Sequence, residues 1–180
     1  EWLIRMFRLT RMATLTGLAA NSVGGWNDDD LGTGTLLIDG PDDDCGEEPC
    51  DGDMNGDGFD DLVLGNWYNG IGMHMNAFIY FGSPDGWSEQ RHLRLPAPRC
   101  TSVAAGDFNG DGLPDLYVAS GITRSGLPNR LYRNQGDGTF ADLGAEAGVD
   151  YRGRVLGVTC GDYDDDGDID LYLSLIHISE

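Results

Sequence analysis

The chain has 180 residues, enough for one domain with a sizeable core, and carries a formal net charge of −20 with 28 glycines. All 11 basic residues are arginines. So strong an acidic excess argues against nucleic acid and anionic membrane as partners, which need basic patches, and no apolar run of about 18 residues predicts a membrane-spanning segment.

Residues 1–50 read as an irregular N-terminal segment. The first residue is Glu rather than Met, so this end is expected not to be a native start. Arg8 and Arg11 precede the mildly apolar stretch Ala13–Ala20, which fits either the remnant of a secretory signal or a poorly structured terminus. Thr35–Ile38 is a candidate short strand between two acidic runs, Asp28–Asp30 and Asp42–Asp44. Neither run alternates acid with spacer, so both read as solvated linker. Four cysteines are too few for a disulfide framework. Cys45 and Cys50 are close enough to pair, a hint of an oxidising compartment, whereas Cys100 and Cys160 read as buried thiols near strand ends.

From residue 53 the chain becomes periodic. Asp53-Met54-Asn55-Gly56-Asp57-Gly58-Phe59-Asp60-Asp61, Asp107-Phe108-Asn109-Gly110-Asp111-Gly112-Leu113-Pro114-Asp115 and Asp162-Tyr163-Asp164-Asp165-Asp166-Gly167-Asp168-Ile169-Asp170 share one pattern, with starts 54 and 55 residues apart. Each has side-chain oxygen at positions 1, 3, 5 and 9, and an apolar strand follows. Calcium takes six to eight oxygen ligands in flexible geometry, so a short loop alternating acid with spacer can wrap it. The predicted side-chain ligands are Asp53, Asn55, Asp57 and Asp61; Asp107, Asn109, Asp111 and Asp115; and Asp162, Asp164, Asp166 and Asp170. Position 7 (Phe59, Leu113 or Asp168) would add a backbone carbonyl. About three Ca2+ sites follow.

These are not EF-hand loops. Position 12 is Leu64, Val118 or Leu173 instead of a bidentate Glu, and the flanks alternate as strands do. Clusters of Asp, Asn and Gly also make ordinary metal-free turns. One loop alone would not separate the two readings, but three in register point to a repeat architecture.

Between loops the elements recur. Strand 61–65 is followed by Ala77–Phe81, a hairpin turn at Ser83–Gly86, a strand at Trp87–Leu95, and Thr101–Ala105 leading into the second loop. Strand 115–119, Asn129–Arg133, an Asp-Gly hairpin within Gln135–Gly138, Thr139–Leu143 and Val155–Thr159 repeat that order. Units of four short strands at this spacing read as β-propeller blades. The fold class is therefore all-β.

The run Gly106–Leu116 resembles an FG-GAP/VCBS-type repeat of the kind found in integrin α-subunit propellers. Asn129–Phe140, Ala147-Gly148-Val149 and Gly161–Leu171 are similar to the bacterial relatives of cartilage acidic protein. The resemblance covers residues 51–174 and implies four-stranded antiparallel blades with a calcium loop between the first and second strands. Carried over, it names the ligand positions already derived. Glu47-Glu48-Pro49-Cys50 is poor strand sequence, which leaves the first blade without an evident first strand. Two full periods and part of a third cannot close a ring of four to eight blades, so a truncated propeller is expected. Residues 175–180 depart from the repeat and read as translated adaptor sequence, with no role for His177.

The chain lacks a G-x-S-x-G elbow, an H-E-x-x-H helix and a phosphate-cradling Gly-Lys loop. His74 and His92 stand singly and read as packed or surface residues. Trp67, Tyr68, Phe78, Tyr80, Phe81 and Trp87 suit blade core better than a sugar-binding face. The expected function is a non-enzymatic, calcium-binding segment of an extracellular, periplasmic or cell-surface protein. It would serve binding or adhesion toward a protein or glycan. The alternatives are a non-catalytic domain of a larger polysaccharide-active enzyme and a structural spacer.

Overall fold

The computed structural model describes residues 36–37, 52–66, 76–120 and 126–175. Among them are ten strands and no helix: β1 (Leu36–Leu37), β2 (Leu62–Leu64), β3 (Asn76–Tyr80), β4 (His92–Pro96), β5 (Cys100–Gly106), β6 (Asp115–Ser120), β7 (Arg130–Asn134), β8 (Phe140–Asp142), β9 (Val155–Gly161) and β10 (Asp170–Leu175). They pair antiparallel in chain order as a first sheet β1-β2-β3-β4, a second β5-β6-β7-β8 and a third β9-β10. The expectations placed on Ala13–Ala20, the two acidic runs, Cys45 and Cys50, Trp67, Tyr68, His74 and His177 lie outside the described residues.

Alternation along the strands explains the packing. Ala77 and Ile79 of β3 and Leu95 of β4 point one way, and with Val63 they meet Val103, Leu116, Val118 and Tyr132 of the second sheet in one buried cluster. β6 is buried at all six positions, because its other face, with Tyr117 and Ala119, is also covered. The second sheet thus lies between the first and the third. Polar ties cross both gaps. Tyr132 Oη donates to the Pro96 carbonyl. Thr101 Oγ1 donates to Val155 O (3.0 Å), and Cys160 Sγ donates to Ala105 O (3.0 Å). At the end of β2 the approach is so close that a Cβ on Gly65 would sit 2.5 Å from Cys100 Sγ. Burial pushes the Cys100 thiol up to about 12, so it stays protonated.

Four sequence expectations change. The first sheet does have a strand before its loop, but it comes from Leu36–Leu37, well upstream of the poor strand sequence at 47–50. The strand expected at Trp87–Leu95 starts only at His92. The Ser83–Gly86 turn forms, with Gly86 N donating to Ser83 O (2.8 Å), but lies inside a connection spanning 81–91. Trp87 is drawn off the strand because its Nε1 donates to Asp60 O (2.9 Å). β10 also continues through Ser174 to Leu175, which pairs with Val155 across a bulge. His92 has partners after all: Nδ1 faces the Glu89 carbonyl (2.6 Å) and so carries the proton, leaving Nε2 to accept from Arg94 Nε (3.0 Å).

Burial raises the Tyr132 hydroxyl to about 12, with Arg130 pulling the other way. Unfolding therefore becomes linked to loss of this proton at alkaline pH. The raised value stabilises the fold below the ordinary tyrosine value of 10.0, and this contribution is lost as pH rises through about 12. Urea unfolding across that window should show falling stability, with a shallower fall in Tyr132→Phe; an identical slope in the two proteins would remove Tyr132 as the cause.

Candidate metal centre

Each of the three acidic loops joins the first strand of a sheet to its second: 53–61 between β1 and β2, 107–115 between β5 and β6, 162–170 between β9 and β10. The position-1 carboxylate organises the turn. Asp107 Oδ1 accepts from Gly110 N (2.8 Å) and Asp111 N (3.1 Å), and its Oδ2 accepts from Gly112 N (2.7 Å). Asp53 does the same with Gly56, Asp57 and Gly58. In the third loop Asp162 accepts from Asp166 N (3.1 Å) and Gly167 N (2.9 Å). Partial burial pushes Asp107 up, but its backbone N–H donors outweigh this and hold it below the ordinary carboxylate value. Position 5 repeats the device once: Asp57, Asp111 and Asp166 each accept the N–H of position 7 at 3.0 Å.

Collecting successive N–H groups on one side chain forces the backbone into a tight coil. Positions 4 and 6 take positive φ: +73° and +85° in the first loop, +71° and +82° in the second, all on glycine. In the third loop position 4 is Asp165, held at φ +62°, where a side chain is strained.

The position-9 carboxylates play a different part. Asp61 and Asp115 are buried, at 3% and 1% exposure. Asp61 accepts from Met54 N (2.9 Å) and Gly82 N (2.7 Å). Asp115 accepts from Asn134 N (2.8 Å) and Asn109 Nδ2 (3.1 Å). They clamp the loop to the residue leaving the third strand. Gly82 follows by two the Tyr80 that pairs with Leu62, and Asn134 follows by two the Tyr132 that pairs with Leu116. Burial raises both carboxyls, Asp61 to about 6, with the neighbouring loop aspartates adding to the effect. Asp170, the equivalent in the third loop, is exposed and accepts from Tyr163 N (3.0 Å).

Sequence reasoning did not find Asn134. Besides its N–H to Asp115, its Nδ2 donates to Met54 O (2.6 Å) and Pro114 O (3.1 Å), joining the first loop to the second sheet. Its place just before the Gly-Asp-Gly hairpin is the only trace in the sequence.

The predicted ligands are brought together to different degrees. Asp162, Asp164 and Asp166 present carboxylate oxygens within 4.8 Å of one another, all exposed. Asn55 Nδ2 lies 3.1 Å from Asp57 Oδ2 in the first loop, and Asn109 meets Asp115 in the second. The donors are all oxygen, which suits a hard cation such as calcium and not a thiolate-seeking metal. Phe59, Leu113 and Asp168 are held over position 5 by their N–H groups.

A profile of the family described as FG-GAP-like repeat matches residues 53–118 and 119–173. The chain is similar to cartilage acidic protein 1 of Mus musculus, 33% identical over 129 residues, and to that of Xenopus tropicalis, 45% identical over 131 residues. Each of these alignments covers 68% of this chain and 19% of the relative, so the chain spans about a fifth of the length of the curated relatives it matches.

Two outcomes follow from the loop geometry. Asp115→Ala strands the buried Asn134 N–H and should lower unfolding free energy by about 2–3 kcal/mol, with Asp115→Asn, which keeps one acceptor, losing less; equal losses in a urea melt would contradict the clamp. Asp165→Gly should raise stability by about 0.5–1 kcal/mol by relieving the left-handed aspartate, net of the glycine's larger unfolded-state entropy.

Proposed function

Because this chain belongs to the FG-GAP-like repeat family, we propose that its three sheets, β1 to β10, are a calcium-stabilised segment of a β-propeller. Its role is binding or adhesion in a secreted or cell-surface protein, without catalysis. The observation that carries the reading is the same carboxylate skeleton at the same place, between first and second strands, in all three sheets. Support for the propeller comes from strand order and neighbourhood. Sheets arranged around an axis bring equivalent inner strands next to one another. Here β1 neighbours β5, and β5 neighbours β9.

In this reading positions 1, 3, 5 and 9 with the position-7 carbonyl hold calcium. The ion supplies positive charge to a loop whose acids otherwise repel one another. Asp107 and its equivalents keep the coil preformed through their N–H bonds, and binding requires Asn55 and Asn109 to turn their amide oxygens from Asp57 N and Asp111 N toward the ion. Binding energy is then folding energy. The acidic surface and the oxygen-only loops suit an extracellular setting where calcium is abundant, and the partner would be an extracellular protein or glycan.

Thermal and urea melts in excess calcium, magnesium and chelator test the proposal. Calcium at a hundredfold excess over Kd should add about 2.7 kcal/mol per site, and magnesium much less. Asp111→Ala should lose calcium affinity and the calcium-dependent gain in Tm together. Identical melts in calcium and chelator would make the loops metal-free turns and sink the proposal.

A further inference from the structure

The first two loops each place an Asn-Gly pair at positions 3 and 4, Asn55-Gly56 and Asn109-Gly110, while the third has Asp164-Asp165 there. Asn109 is exposed and Asn55 half-buried. In an Asn-Gly pair the glycine backbone nitrogen can attack the asparagine side-chain amide carbon. The new C–N bond closes a succinimide and ammonia leaves; water then opens the ring at either carbonyl, giving aspartate or isoaspartate. Glycine favours this because no Cβ hinders the approach.

We propose that Asn55 and Asn109 are spontaneous deamidation sites, and that the position-1 carboxylates of their own loops set the rate. The attacking nitrogen must lose its proton. In both loops that N–H is donated to a carboxylate: Gly56 N to Asp53 Oδ1 and Gly110 N to Asp107 Oδ1, both at 2.8 Å. The asparagine side chain is also held, because Asn55 Oδ1 accepts from Asp57 N and Asn109 Oδ1 from Asp111 N, both at 2.9 Å. Reaction requires both bonds to open, so the closed coil protects the pair and an open coil exposes it. The aspartate product carries the residue type that the third loop already has at position 3. The isoaspartate product instead adds a carbon to the main chain within the coil. This inference does not depend on metal binding.

The test is incubation of the intact chain at mildly alkaline pH in chelator, with peptide mass spectrometry following the gain of one mass unit at each asparagine. A synthetic peptide spanning residues 105–117 serves as the unprotected reference. Because the lost hydrogen bond is to a charged acceptor, Asn109 in the chain should react about tenfold or more slowly than in the peptide. In Asp107→Ala, Asn109 should accelerate while Asn55 in the same chain keeps its rate. The reciprocal result is expected in Asp53→Ala. Equal rates in chain and peptide, or an Asn109 rate unmoved in a folded Asp107→Ala, would overturn the proposal. If Asp107→Ala unfolds, both asparagines accelerate together, and the comparison of wild-type chain with peptide decides alone.

Discussion

The bond from a loop's first aspartate to the backbone N–H groups three to five residues ahead is the constraint on which the rest depends. A carboxylate has only two oxygens, and satisfying several donors with them fixes a coil of one shape. That shape requires two left-handed residues, which is why glycine recurs at positions 4 and 6. It also fixes where the next strand begins. In the second and third sheets the first and second strands therefore enter their ladder in the same register relation: Gly106 pairs with Asp115 and Gly161 with Asp170.

From the coil the order spreads outward through buried polar groups. Asp61 and Asp115 are buried acids beside the other aspartates of their loops, and such groups persist only when hydrogen-bonded. Their donors come from the loop itself and from the exit of the third strand, so the loop, the second strand and the exit of the third are tied at one point. Asn134 extends that tie to the preceding repeat through Met54 O. Around these points the apolar residues need only alternate, and the sheets stack.

Much of this was legible in the sequence because it is local. The coil depends on residues within nine positions of each other, and Asp and Gly report directly on its chemistry. The Asp-Gly hairpin after β7 was equally plain, with Gln135 N donating to Thr139 O (3.0 Å). What escaped was set by partners distant in the chain. Thr35–Ile38 was legible as a short strand and forms at Leu36–Leu37, but its pairing with β2 was not, because the long segment before the first loop hides the connection. Trp87 leaves its expected strand for a carbonyl 27 residues away. Asn134 reaches Met54 across 80 residues, a distance over which no periodic pattern operates.

The recurring unit of sequence and the hydrogen-bonded unit of structure are out of step. Counted from one loop start to the next, each period supplies strands two to four of one sheet and the opening strand of the next. Genetic gain or loss of one period between loop starts thus never leaves a sheet incomplete. Removing residues 53–106, for example, would place the second loop after β1 and its following segment and hand β1 the position of β5. A gene built this way can lengthen or shorten by whole units through unequal recombination while the remaining sheets keep their strands, and the overlap between units works as a splice joint.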